Sequence, residues 1–164
     1  MTSIRFLAAT PFVVLLAACG GEAQDEATEA APAGDVPPEI GQRQDEFEGV
    51  GDSFKVIREQ LETDAPDMAA ITAAAGDINE RLVRIKDLFP EGSSMEAGYD
   101  TEALAVIWED PDGFAEVHSA AVAASEEMMA AAASGDPAAV GEQVGNLGLN
   151  GCKACHDKYR VDDD

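Results

Sequence analysis

The sequence predicts an all-α fold, an antiparallel four-helix bundle, for the part of the chain from residue 39 to residue 164. Apolar residues recur there at alternating steps of three and four, the spacing that places side chains on one face of an α-helix. An aspartate followed by proline stops and restarts the pattern twice, at Asp110-Pro111 and Asp136-Pro137. Four helices joined by short links are expected to pack as a bundle.

The first two helices have the most regular pattern. The first helix carries one stripe of inward positions, Ile40, Arg43, Phe47, Val50, Phe54, Ile57 and Leu61. The second is expected to begin at Asp64, with Pro66 in its first turn, and to end before Pro90. Its inward residues are Ile71, Ala75, Ile78, Leu82 and Ile85.

The second half of the domain is expected to hold a loop, a short helical piece and two more helices. The loop covers residues 91–100, which are rich in glycine and serine, and the short helical piece covers residues 101–108. A third helix starting at Asp110-Pro111 turns Phe114, Val117, Ala121 and Met128 inward. A fourth follows Pro137, with Val140, Val144, Leu147 and Cys155 near one face.

Residues 1–18 resemble a bacterial lipoprotein signal. Arg5 precedes an apolar run over residues 12–16, and Leu16-Ala17-Ala18-Cys19 follows. The resemblance implies cleavage before Cys19 and acylation of that cysteine. An ordinary secretory signal is the alternative, and it gives the same compartment outside the cytoplasm. The run is too short for a transmembrane helix.

Residues 19–38 are acidic and contain few large apolar side chains, which predicts a disordered tether. The chain has a net charge of −23, and removal of the signal would take away one further positive charge, Arg5. This charge excludes nucleic acid as a natural partner and disfavours anionic membrane surfaces, so membrane residence would depend on acyl chains. Basic redox partners would be favoured. We therefore expect a periplasmic, lipid-anchored protein.

The run Cys152-Lys153-Ala154-Cys155-His156 has the spacing that attaches a c-type haem. Two thiols about one helical turn apart can reach both vinyl groups of one porphyrin, and the histidine that follows is turned toward the iron. A redox dithiol or half of a zinc site are the alternatives. Neither finds its other parts here, because no strand-helix-strand pattern and no second ligand pair accompany the motif. One covalent haem c, with His156 as its iron ligand, is the expected cofactor.

From residue 39 to residue 161 the domain resembles the class II cytochromes c, specifically the cytochrome c′ family. The matching segments are Arg43-Gln44 with Phe47, residues 88–93, Thr101-Glu102-Ala103, Ile107-Trp108 with Phe114, and residues 152–160. The resemblance implies a four-helix bundle with a covalent haem near the carboxyl end of its last helix, often as a homodimer packed through the first two helices.

The resemblance also implies what faces the other side of the iron. Low-spin members have a methionine there on the first helix, whereas cytochrome c′ has an apolar residue, and the matching position here is Phe47. Phenylalanine has no lone pair to offer, so we expect five-coordinate, high-spin iron. His118 is a further candidate for the sixth ligand, although a lone histidine near an apolar face is more often structural.

Two arginines are predicted to act near the haem. Arg43 lies on the apolar stripe, where a charge is costly unless paired. A haem propionate is one partner, and a surface carboxylate, Glu39 or Glu46, is the alternative. Arg160 lies one turn beyond His156, where the resemblance places an arginine beside the proximal histidine; stabilisation of the last helical turn is the alternative.

Gln44, Thr101 and Glu102 match positions where family members touch the haem edge, although a polar helix face would explain them equally well. The expected function is binding of nitric oxide or carbon monoxide, transfer of single electrons, or both. A low-spin, six-coordinate cytochrome that only carries electrons is the alternative. No acid-base pair accompanies Phe47, so we expect no enzymatic activity.

Overall fold

The structure, a computed structural model, describes residues 35–161 and confirms the all-α bundle. Its long helices are α1 (Pro38–Leu61), α2 (Met68–Ile85) and α4 (Pro111–Ser134), with a short α3 (Val106–Glu109) before α4. The fourth long element is α5 (Pro137–Asn146), a π-helical segment (Leu147–Lys153) and α6 (Ala154–Tyr159) in succession.

The predicted signal over residues 1–18, Cys19 and the tether as far as residue 34 lie outside the described residues. Within residues 35–161, no helix combines the length and the apolar character that a membrane crossing requires. The core is formed mainly by branched apolar residues facing inward from all four long elements. Its fully buried members include Ile57, Ile71, Ile78, Ile85, Met128, Val140 and Leu147.

The predicted start of the second helix at Asp64 is wrong, because α2 begins four residues later. Asp67 is its N-cap, and the Asp67 side chain accepts hydrogen bonds from the backbone N–H groups of Ala69 and Ala70. Asp67 thus satisfies two of the four amide groups that a helix start leaves without partners. Pro66 precedes the cap instead of lying in the first turn.

A charged cluster joins α1 to α2. Glu46 accepts hydrogen bonds from Arg81 at 3.0 Å and from Arg84 at 3.0 and 3.1 Å, and Asp77 accepts from Arg81 and from Ser53 at 2.7 Å each. These hydrogen bonds lower the pKa of Glu46, and the bond from Arg84 makes the largest contribution. Glu46 is therefore held on the α2 side of α1, away from Arg43.

The predicted helical piece over residues 101–108 is shorter than expected, since α3 covers only four residues. Residues 102–104 instead pair with the end of the chain. Ala103 forms an isolated antiparallel bridge with Arg160, and the backbone N–H of Leu104 donates to the carbonyl of Tyr159 at 3.1 Å. This non-local pairing uses backbone groups that a helix would need for itself.

Asp110 fixes the start of α4 at the predicted position and joins it to α6. One oxygen of its carboxylate accepts from the Gly113 backbone N–H, and the other accepts from the Tyr159 hydroxyl at 3.1 Å and from Lys158. The pKa of Asp110 lies below its ordinary value, chiefly because Lys158 donates to it. A side chain at Gly113 would collide with the Asp110 carboxylate and the Tyr159 hydroxyl.

The fourth helix is continuous, as expected, but its central part is π-helical. The backbone N–H of Ala154 donates to the carbonyl of Leu149, five residues back, in the π-helical pattern. Gly151 lies in this segment and is buried against α4. A Cβ at Gly151 would lie 2.9 Å from Leu147 Cδ1 and 3.4 Å from Ala121 Cα. The absence of a side chain at Gly151 therefore leaves room for the Leu147 side chain of the same segment beside α4.

Replacing Gly151 with alanine is expected to destabilise the haem-loaded protein by about 1–2 kcal/mol, because the added methyl group overpacks a closed contact. The matched control is Gly145→Ala on α5, where nothing lies within 4 Å of the added Cβ. That change should stabilise the protein by up to about 1 kcal/mol through helix propensity. Urea unfolding measures both, and equal effects of the two substitutions would contradict the close approach at Gly151.

Candidate haem site

A cavity of about 660 Å³ lies between α1, α2, α4 and the carboxy-terminal helical unit. Its walls are mostly apolar, and they include Phe47, Val50, Phe54, Leu82, Ile85, Phe89, Ile107, Phe114, Ala121 and Leu147. All nine residues predicted to contact the haem line this one cavity: Arg43, Gln44, Phe47, Thr101, Glu102, Cys152, Cys155, His156 and Arg160. The structure therefore brings the predicted set together, while the role of each residue stays a prediction.

The attachment motif spans the end of the π-helical segment and the start of α6. Cys152 and Cys155 are both half-buried, and both thiols are free. His156 follows on α6, and its side chain is exposed at the cavity wall. Two cysteines and a histidine thus reach one apolar cavity from a single stretch of helix.

The two alternatives for the cysteine motif find little support. Burial raises the pKa of the Cys152 thiol, and it raises that of Cys155 to about 11. Redox-active Cys-x-x-Cys pairs need the opposite, a lowered pKa that favours the thiolate. Among residues 35–161, no group of three or more His, Cys, Asp and Glu side chains is placed to hold a metal ion, so the zinc alternative lacks further ligands.

Arg43 is almost completely buried, with 2% of its surface exposed. Its guanidinium donates to Ser93 O at 2.6 Å, Ser93 Oγ at 2.7 Å and Thr101 Oγ1 at 2.8 Å, and it lies 5.0 Å from the centre of the Phe89 ring. Every oxygen that accepts these bonds is neutral. Burial lowers the pKa of Arg43, because desolvation disfavours its charged form.

Neither Glu39 nor Glu46 accepts a hydrogen bond from Arg43, whose acceptors among residues 35–161 are neutral oxygens, and Glu46 is engaged by Arg81 and Arg84 instead. A buried cation among neutral acceptors would be stabilised further by an anion in the cavity. A haem propionate has the required charge, and its contact with Arg43 stays a prediction.

Gln44 and Thr101 hold the loop that borders the cavity. Gln44 Nε2 donates to the carbonyl of Asp100 at 3.0 Å, while the Thr101 hydroxyl accepts from Arg43 and from the backbone N–H of Ala103. Both residues therefore have a structural role on the cavity side of the loop, beside any contact with the haem edge.

Phe47 projects from α1 into the cavity wall, with 39% of its surface exposed. His118 also lines the cavity, from α4, but its Nε2 lies 2.8 Å from the carbonyl oxygen of Leu82. That hydrogen bond ties α4 to the last turn of α2 and favours the structural interpretation of His118. Met128, on the same helix, is fully buried in the core instead.

Glu102 and Arg160 form an ion pair at the cavity wall, with Arg160 Nε donating to Glu102 Oε2 at 2.5 Å. The prediction that Arg160 continues the helix of His156 is wrong, because α6 ends at Tyr159 and Arg160 is extended. Its backbone N–H still closes the last turn on the carbonyl of His156. The pKa of Glu102 is lowered mainly by the hydrogen bond from Arg160, with smaller contributions from the charges of Arg160 and His156.

Four lining or supporting residues, Phe89, Ser93, Phe114 and Tyr159, were not among the residues predicted to contact the haem. Phe89, Phe114 and Tyr159 stack edge to face, with ring centres 4.9 and 5.2 Å apart, and close one end of the cavity. Tyr159 follows His156 by three residues, so helical spacing could have found it. Ser93 and Phe89 carried no such signal, because they reach Arg43 only through the path of a loop.

The residues present fit a covalently attached haem. The cavity volume is in the range of cofactor sites, and its walls are predominantly apolar with a few polar groups. Arg43, a buried cation with no anionic partner among residues 35–161, two half-buried thiols and a histidine converge on it. These features define a c-type haem protein built on a four-helix bundle.

The sequence matches the family described as Cytochrome C′ over residues 38–160, and the chain belongs to that family. It is 43% identical over 94 residues to "Cytochrome c-554" of Cereibacter sphaeroides, covering 54% of this chain and 69% of the relative. It is 32% identical over 137 residues to "Cytochrome c′" of Rhodospirillum rubrum, covering 82% and 90%. Members of this family carry covalently bound haem c, and Cys152 and Cys155 are in place to attach it.

The fold is also similar to solved cytochrome c′ structures. A nitric oxide complex of a cytochrome c′ variant from Alcaligenes xylosoxidans superposes with a TM-score of 0.66 at 26% identity. It covers 76% of this chain and 94% of that one. This agreement supports the assignment of the cavity as the haem site.

Proposed function

We propose that this protein binds small gaseous ligands, nitric oxide and carbon monoxide, at a five-coordinate haem iron, and that it can also carry single electrons. The observation that carries the proposal is the composition of the cavity wall around α1. The α1 residues of that wall include no methionine and no histidine, and its large apolar side chains, Phe47, Val50 and Phe54, have no atom able to ligate iron. When bound, the haem would supply an iron able to take up a diatomic ligand and a one-electron couple.

The other candidates for a sixth ligand are poorly placed. No methionine of the described residues lines the cavity, and His118 is occupied with the Leu82 carbonyl. For the iron to be low-spin and six-coordinate, His118 would have to break its hydrogen bond with the Leu82 carbonyl and turn toward the iron. The formation of a nitric oxide complex by the Alcaligenes xylosoxidans variant supports the gas-binding proposal by similarity.

Different residues of the cavity would control ligand entry, balance the haem charge and exclude water. Phe47 would cover the face of the haem opposite His156, so that a ligand enters only when the ring moves aside. Arg43 would balance a propionate charge inside the protein. The apolar walls exclude water from the site.

Replacing Phe47 with alanine is expected to speed carbon monoxide association about tenfold, equivalent to about 1.4 kcal/mol of barrier. Stopped-flow mixing of the reduced protein with carbon monoxide measures the rate. The matched control is Val56→Ala, because Val56 lies on the opposite face of α1 and is equally exposed, at 39%. Unchanged association in the Phe47 variant would remove this residue as the gate.

We further propose that the protein is held at a bacterial membrane, on the periplasmic side, by acyl chains on Cys19. Because the net charge is −23, electrostatic attraction to anionic lipids cannot replace the anchor. The variant Cys19→Ser is therefore expected to move from the membrane fraction to the soluble fraction, whereas a high-salt wash should leave the parent protein on the membrane. Retention of the variant on the membrane would contradict the anchor. A homodimer through the first two helices and a basic redox partner stay predictions.

A further inference from the structure

Loop residues 101–104 and residues 159–161 pair as two short antiparallel segments at the wall of the haem cavity. We call this backbone pairing the closure. The Val161 backbone N–H donates to the carbonyl of Glu102 at 2.9 Å, and the Leu104 N–H donates to the carbonyl of Tyr159 at 3.1 Å. The bridge between Ala103 and Arg160 lies between these two bonds. The backbone therefore fixes Glu102 and Arg160 as neighbours before their side chains interact.

Because of this backbone pairing, the ion pair between Glu102 and Arg160 differs in its effect from an ordinary exposed ion pair. An exposed ion pair usually adds little stability, because holding two long side chains in one geometry costs entropy. Here the backbone bridge restricts both residues, and Arg160 is only 34% exposed at its side chain. The main effect of the pair is therefore on the position and the local charge of the guanidinium.

We propose that Glu102 is a positioning residue that holds the Arg160 guanidinium at the cavity wall beside His156 and neutralises its charge there. The inference rests on the proposed function only in taking His156 as the axial ligand. A cation close to the axial imidazole favours the reduced state, which carries one positive charge fewer. Pairing with Glu102 offsets that field, so Glu102 is expected to lower the reduction potential of the haem.

The test uses the haem-loaded protein with Glu102→Gln and Glu102→Asp, each in the parent and in an Arg160→Gln background. Glutamine removes the charge, whereas aspartate keeps it but withdraws it from Arg160 Nε. Potentiometric titration of the haem measures the midpoint. Both substitutions are expected to raise the potential in the parent background. In the Arg160→Gln background the rise for Glu102→Gln should shrink to the part that comes from the lost carboxylate charge itself, and the rise for Glu102→Asp should vanish.

A matched control separates this from a general loss of charge. Glu48 lines the same cavity, is exposed, and loses the same charge in Glu48→Gln. Its effect on the potential should be the same with and without Arg160. Equal shifts for Glu102→Gln in both backgrounds, or no shift for Glu102→Asp, would show that Glu102 acts only through its own charge and would overturn the proposal.

Amide hydrogen exchange provides the readout of structure. The N–H groups of Leu104 and Val161 should stay protected in all three single variants at Glu102 and Arg160, because backbone bonds hold the closure. If all three variants lose protection at these N–H groups, the proposal is overturned, because the proposal requires the Ala103–Arg160 bridge to form without the ion pair. The coordination state of the parent, read from its spectrum, tests the proposed function separately from this comparison.

Discussion

Replacing both Cys152 and Cys155 with alanine is expected to abolish covalent haem attachment in cells that mature c-type cytochromes. Among residues 35–161 these two are the only cysteines, both line the cavity, and two thioether bonds need both of them. Intact-protein mass spectrometry and haem staining after denaturing electrophoresis measure the outcome. The double variant should carry no covalently bound haem, and each single variant should lose most of it.

The third cysteine supplies the control for this experiment. Cys19 lies outside the described residues and is predicted to be acylated, so Cys19→Ser should keep full haem attachment while changing only its fractionation. Covalent haem in the double variant would show that the cavity thiols are not the attachment points. Loss of haem in the Cys19 variant would show that attachment depends on membrane anchoring.

Replacing Arg43 with leucine is expected to destabilise the haem-loaded protein by at least about 2 kcal/mol, because a buried polar group left without its partner costs about 1–3 kcal/mol. The change would leave acceptors on Ser93 and Thr101 without their donor. It would also remove the cation that we expect to meet a haem propionate, so the loss should be smaller in the haem-free protein.

Urea unfolding of the loaded and haem-free forms measures both effects. Arg58→Leu is the matched control, since Arg58 lies exposed in the last turn of α1, and its loss should change stability by no more than about 0.5 kcal/mol. A loss for Arg43→Leu as small as that of the control would contradict the structural role of the buried guanidinium.

Much of the fold followed from local sequence patterns. The apolar stripe of α1 and the aspartate-proline pairs before α4 and α5 are local signals. The structure has a helix over the stripe and begins a helix at each of the two prolines. The start of α2 was placed wrongly because Asp64 and Asp67 are both good caps, and only packing selects between them. The π-helical segment was not predicted, because the spacing of apolar residues does not distinguish one π-helical stretch from the α-helix on either side of it.

The candidate site likewise contains residues that local sequence patterns predicted and residues that only the fold brings together. The Cys-x-x-Cys-His motif and Arg43 on an apolar stripe were visible in the sequence, and both lie at the cavity. Ser93 accepts from Arg43 across 50 positions of sequence, so no periodicity could have found it. Arg160 was expected on a helix, yet its pairing with residues 102–104 takes it out of the helix and places it against Glu102.

Gas binding depends on the proposed arrangement of the haem, an iron with five ligands and a face covered by Phe47. Optical and electron paramagnetic resonance spectra of the purified haem-loaded protein, oxidised and reduced, before and after nitric oxide, test it most directly. We expect high-spin, five-coordinate spectra and uptake of the gas by the reduced protein. A low-spin, six-coordinate spectrum would contradict it and would make His118, the other histidine at the cavity wall, the candidate sixth ligand, with electron transfer as the function.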